Sequence, residues 1–110
     1  MTVTEKNMAN RDGADTKFRS KDEEKIKEPQ DYMVIMLNDD FTPRDFVVEV
    51  LMLVFHKDRE EAKRIMLNVH HKQKGIVGIY TYDVAQTKAN QVHTIAKENE
   101  FPLKCIVEEA

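Results

Sequence analysis

The run Asn38-Asp39-Asp40-Phe41-Thr42-Pro43 sets one amide and two carboxylates directly after the apolar stretch Met33–Leu37 and ahead of an apolar-rich segment. Three kinds of chemistry fit such a corner. Asn and Asp tolerate turn geometry and cap helices, so the cluster can be structural. Converging carboxylate and amide oxygens can also hold a positively charged ligand. A general acid/base pair is the third reading. It needs both carboxylates aimed at one reacting atom with their pKa values pushed apart, and adjacency in sequence does not specify that.

His70 and His71 follow a second apolar stripe. Neighbours on a helix point about 100° apart, so His70, four residues beyond Met66, faces the packed side and His71 faces solvent. His70 is then either a satisfied, partly buried side chain or a polar group lining a ligand pocket. His56, His70, His71, His93 and Cys105 lack the compact spacing of a zinc motif, so no metal is expected, and no other cofactor. Cys105 stands beside Ile106 and Val107 and reads as a small packing hydrophobe. The glycines are Gly13, Gly75 and Gly78, and none forms a phosphate-binding loop. Met33, Met36, Met52, Met66 and Leu103 are suited to line an apolar cavity, although methionine also fills cores. Acidic and amide groups beside apolar side chains would suit a ligand that carries an ammonium next to a hydrophobic group.

These residues need a scaffold. Tyr32 to Leu37 reads as a mostly buried strand. Phe46, Val47, Val50, Leu51, Val54 and Phe55 recur at helical spacing. Thr42 fits as N-cap, with Pro43 at the first helical position and Asp45 in the first turn. His56-Lys57 ends that helix, and Asp58 caps a second one whose stripe is Ala62, Ile65, Met66 and Val69. Gly75 is expected to close the second helix in a left-handed conformation. Ile76 to Tyr82 reads as a strand, with Gly78 marking a bulge or a close backbone approach. Thr81 or Asp83 begins a third helix that buries Val84, Ala85, Ala89, Val92 and Ala96, with Ile95 alongside. Pro102 breaks the pattern, and Leu103–Val107 is the last strand. The order strand, helix, helix, strand, helix, strand predicts an α+β fold: a three-stranded sheet with helices on one face.

The chain has 110 residues, enough for one domain with one modest core. Residues 1–31 hold 15 charged residues and, beyond Met1, only four sizeable apolar ones, Val3, Met8, Phe18 and Ile26. That composition predicts a flexible extension, with at most a transient turn around Lys21–Glu28 that Pro29 would stop. Residues 32–110 form the expected folded body. With 17 basic and 20 acidic residues and a net charge of -3, no basic block reads as a nucleic-acid footprint. Uncharged stretches such as Gly75–Tyr82 are far too short to span a bilayer. A single cysteine and no signal-peptide pattern make a cytoplasmic location the default.

Taken together, Val34 to Pro43 with Phe46-Val47, then Met66-Leu-Asn-Val-His70 (His70 lying 27 residues after Pro43), resembles the ClpS family of bacterial protease adaptors. The likeness continues through Gly78-Ile-Tyr-Thr81, Val84-Ala-Gln-Thr-Lys88 and Glu98 to Leu103, and so covers residues 32–110 in order. It implies a fold similar to the C-terminal domain of the ribosomal stalk protein, and an adaptor instead of an enzyme. Such an adaptor binds the free α-amino group and the large hydrophobic first residue (Leu, Phe, Tyr or Trp) of N-degron proteins and peptides. It delivers them to the ClpAP protease through the N-domain of the ClpA-type unfoldase. By this resemblance Asn38, Asp40 and His70 bind the amino group, with Asp39 supporting. Thr42, Arg44, Val47, Met66, Val69 and Leu103 line or border the side-chain pocket. Phe41, Asp83 and Lys88 match unfoldase-docking positions, and residues 1–31 match a leader that assists delivery.

Two residues depart from the family pattern. Arg44 stands where many members carry methionine, which leaves the preference among first residues open, and Asp83 replaces a frequent glutamate. Two rivals remain at this point. One is a stalk-like protein-interaction domain without N-terminal specificity. The other is a small hydrolase using Asp39, Asp40 and His70.

Overall fold

The computed structural model describes residues 30–110. The elements are β1 (Tyr32–Leu37), α1 (Arg44–Phe55), α2 (Arg59–Lys72), β2 (Lys74–Tyr80), α3 (Tyr82–Glu98) and β3 (Lys104–Glu109). This is the expected α+β order. The expectations for a flexible extension and a turn at Lys21–Glu28 lie outside the described residues.

β1 is the central strand of the order β2-β1-β3, and both pairings are antiparallel. Alternation along β1 sends Val34 and Met36, both fully buried, to the side covered by the helices. There they meet Val50, Leu51, Ala62, Val69, Ala85, Ala89, Val92 and Leu103 in one core. The stripe Ala85, Ala89, Val92, Ala96 is small enough to hold α3 close to the sheet. Val84 is 42% exposed, against expectation, because it precedes that stripe by one position and so turns off it by about 100°.

Helix ends use other residues than the sequence suggests. α1 starts from Pro43, whose carbonyl accepts from the Phe46 and Val47 amides. Thr42 is not the cap, because its hydroxyl is committed to Asp39. Asp58 caps α2 as expected, accepting from the Glu61 amide at 2.8 Å. The left-handed residue closing α2 is Gln73 (φ 74°), not Gly75. Gly75 is instead in β2 opposite Met36, where an added Cβ would lie 3.0 Å from Asn68 Nδ2 and 3.1 Å from Val69 Cγ2. Its role is to let β2 approach α2. Val34 pairs with Gly78 and Ile35 with Ile76, so Val77 is the extra residue of a β-bulge. The bulge expected near Gly78 is there, and so is the close approach: the Tyr80 ring lies against Gly78.

Candidate functional site

The corner between β1 and α1 is built around Asp39. Its Oδ1 accepts from the amides of Phe41 and Thr42, each at 2.8 Å, and its Oδ2 accepts from Thr42 Oγ1 at 2.7 Å. Three donors on one carboxylate fold the chain back and turn it into α1. Asp40, the next residue, is exposed and takes part in none of these bonds among the described residues. Two adjacent carboxylates therefore have different occupations. Asp39 is spent on the corner, and Asp40 retains its acceptor capacity.

Asn38 is anchored from across the fold. Its amide donates to the Gln73 carbonyl at 2.9 Å and its side-chain Nδ2 donates to Gln73 Oε1 at 3.4 Å. Spending Nδ2 in this way leaves Oδ1 as the acceptor. Gln73 Nε2 in turn donates to the His70 carbonyl at 3.2 Å. Gln73 thus ties Asn38 to the end of α2, where His70 is. Sequence reasoning misses Gln73, because its partner is 35 residues away and nothing local marks it.

Asn38, Asp39, Asp40, Thr42, Arg44, Val47, Met66, Val69, His70 and Leu103 all line one cavity of about 280 Å³, together with Met36, Leu37 and Pro43. Every residue named for amino-group binding or the apolar pocket is brought there. Its floor is Met36, Val47, Val69 and Leu103, all buried in the core. Met66 is half-buried. Of the methionines named for cavity lining, Met36 and Met66 serve and Met33 and Met52 do not. At the rim Arg44 Nη2 lies 2.8 Å from His70 Nε2. A guanidinium has no acceptor, so Nε2 must be the unprotonated ring nitrogen there. His71 is exposed.

The three docking residues do not converge. Phe41 is 78% exposed at the corner before α1. Asp83 and Lys88 belong to the first turns of α3, near the other end of the domain. Tyr82 packs edge-to-face against Tyr32 at the start of β1 (5.0 Å between centroids), and Lys88 Nζ donates to the Val54 carbonyl at the far end of α1 (2.8 Å). α1 alone separates these ends by about 18 Å. Lys88 is half-buried and its Nζ also lies 5.5 Å from the Tyr80 ring centroid. It closes α1 as well as facing outward.

Cys105 is buried, and burial pushes its thiol pKa up to about 12, the opposite of an activated nucleophile. Its amide donates to His93 Nε2 at 3.0 Å, tying β3 to α3. Among the described residues no three His, Cys, Asp or Glu side chains group to hold a metal ion.

Comparison with known proteins accords with this geometry. The family model described as ATP-dependent Clp protease adaptor protein ClpS matches residues 27–106. The adapter protein ClpS of Syntrophus aciditrophicus is 53% identical over 87 residues, which is 79% of this chain and 81% of that protein. The ClpS of Treponema denticola is 58% identical over 85 residues, covering 77% of this chain and 84% of its own length. Among solved structures, Agrobacterium tumefaciens ClpS2 bound to L-phenylalaninamide superposes with a TM-score of 0.74 at 37% identity, covering 76% of this chain and all of that one.

Proposed function

The chain belongs to the ClpS family of ATP-dependent Clp protease adaptors, and from that premise we propose that its cavity reads the free amino end and the first side chain of N-degron substrates. It is an adaptor and not an enzyme: it binds N-degron substrates and delivers them to the ClpAP protease. The observation that carries the residue assignment is that all these residues line one cavity of about 280 Å³, with acceptors at its rim and core side chains at its floor. That volume is at the small end for ligand pockets and suits one side chain better than an extended segment.

An α-amino group, with a reference pKa of about 7.7–8.0, offers a positive charge and up to three hydrogens, whereas an internal peptide nitrogen offers one hydrogen and no charge. Asn38 Oδ1, an Asp40 oxygen and His70 Nε2 are three acceptors for it. Asp40 makes the charge-assisted contact, the strongest of the three. Val47, Met66, Val69 and Leu103 take the side chain, with Thr42 and Arg44 at the border. Full burial of a Leu or Phe side chain contributes about 1.5–3 kcal/mol, enough to discriminate first residues and too little to hold a ligand alone. In the related ClpS2 the bound L-phenylalaninamide has just these two features, a free α-amino group and a benzyl side chain.

Residues 32–110 are the adaptor core, and residues 1–31 are the segment that assists transfer. The unfoldase of the cytoplasmic ClpAP machine docks on Asp83 and Lys88, with Phe41 contributing at the other end. A panel of peptides differing only in the first residue tests the cavity assignment. Leu, Phe, Tyr and Trp should bind and Asp should not. Equal binding across the panel would reject the pocket. Removing residues 1–31 should spare peptide binding and slow ClpAP degradation of a Leu-first reporter; full-rate degradation would reject the transfer role.

A further inference from the structure

The acceptor nitrogen that an incoming ammonium needs is already taken by a cation of the same chain. Arg44 Nη2 is 2.8 Å from His70 Nε2, and both residues line the cavity. The geometry points to Arg44 as a displaceable occupant of the amino-group site, so that an N-degron binds by evicting the Arg44 guanidinium from His70. This rests on the amino-group reading above and adds a residue that sets its threshold.

Two features make the occupancy reversible. Arg44 is exposed in the first turn of α1, and its long side chain can swing its head into water without disturbing the core. The backbone at His70 is held independently of Arg44, since Gln73 Nε2 donates to its carbonyl. The latch also prepares the site. While Arg44 donates, Nε2 is kept as acceptor and the ring proton belongs on Nδ1, the tautomer that the ammonium needs. Eviction costs every free-ended ligand the same amount. Ligands that fill the apolar hollow offset it, and ligands with a small first side chain do not. Arg44 therefore raises the demand for a large first residue through the amino-group site.

The test uses the full-length chain, a fluorescent Leu-first peptide and its N-acetylated copy. An exposed hydrogen bond of this kind sets the scale: Arg44→Gln should tighten the free-ended peptide roughly two- to tenfold. Arg44→Lys, which keeps a competing cation, should tighten it less than Arg44→Gln does. Ring 15N shifts of His70 supply a readout that packing does not move. Wild type should show Nδ1–H with Nε2 bare, and Arg44→Gln should drift toward the Nε2–H form. Arg44→Met is included because it adds apolar lining. Should Met tighten binding while Gln does not, lining explains the gain and the latch is overturned. Unchanged affinity and an unchanged His70 tautomer in Arg44→Gln overturn it too, with amino-group recognition intact. If neither wild type nor variants distinguish the free from the acetylated peptide, the amino-group reading fails and the competition fails with it.

Discussion

Asp39 and Asp40 are adjacent and chemically identical, yet replacing them should have opposite consequences. Asp39 accepts three hydrogen bonds that fold the corner. Each contributes about 0.5–1.5 kcal/mol net, and exposed donors can recover part of that from water, so Asp39→Ala should cost about 1–2 kcal/mol of stability. For a domain of this size that is a melting temperature lower by roughly 4–16 °C. Asp40 makes none of those bonds and is exposed, so Asp40→Asn should stay within about 0.5 kcal/mol of wild type. In binding the weight reverses. Losing the charged partner of an ammonium costs about 1.5–3 kcal/mol, or roughly 10- to 150-fold in Kd. Urea unfolding and peptide anisotropy on the same preparations read both quantities. If Asp40→Asn unfolds as early as Asp39→Ala, or binds Leu-first peptide like wild type, the division of labour is wrong.

Burial holds the Cys105 thiol protonated to about pH 12 in the folded protein, whereas an unfolded thiol titrates near 8.5. The folded pKa is the higher one, so this stability is complete below the unfolded value and is lost as pH rises from about 9 toward 12. Urea midpoints across that range should fall more steeply for wild type than for Cys105→Ala, by up to about 1.4 kcal/mol per pH unit; equal slopes would contradict the burial argument. Lys88→Met should cost about 1–2 kcal/mol in urea unfolding, because it removes the bond to the Val54 carbonyl and the contact with Tyr80, with peptide affinity unchanged. Wild-type stability would show that Lys88 acts only as an outward charge. Gly78→Ala would set its Cβ within 2.7 Å of the Tyr80 ring carbons and should cost about 1–3 kcal/mol; a Gly78→Ala/Tyr80→Ala pair should lose less than the sum of the singles.

Element order was legible from short-range signals, and the membership of the cavity from the family resemblance. The spacing of Val47, Val50, Leu51 and Val54 fixes the face of α1, and the Asp58 cap lies within one turn of its acceptor relation to Glu61. What failed was decided by contacts that periodicity does not show. Thr42 looks like a cap until Asp39 takes its hydroxyl. Gly75 looks like a helix terminator until Asn68 and Val69 require a residue without a side chain opposite them. Among the described residues the left-handed positions went to His56, Gln73 and Glu100, none of them the glycine that this conformation favours. Arg44 and His70 meet across 26 residues, and Asn38 and Gln73 across 35, which no periodicity can show. The site's chemistry was readable; its internal wiring was not.

One titration bears most directly on the whole account. A Leu-first peptide and its N-acetylated twin, identical in every side chain, are measured against the full-length protein by calorimetry at pH 7. Acetylation removes the charge and all but one of the hydrogens that Asn38, Asp40 and His70 would accept. The account predicts saturable binding of the free peptide and none of the acetylated one at the same concentrations. Comparable heats and affinities for both would contradict it.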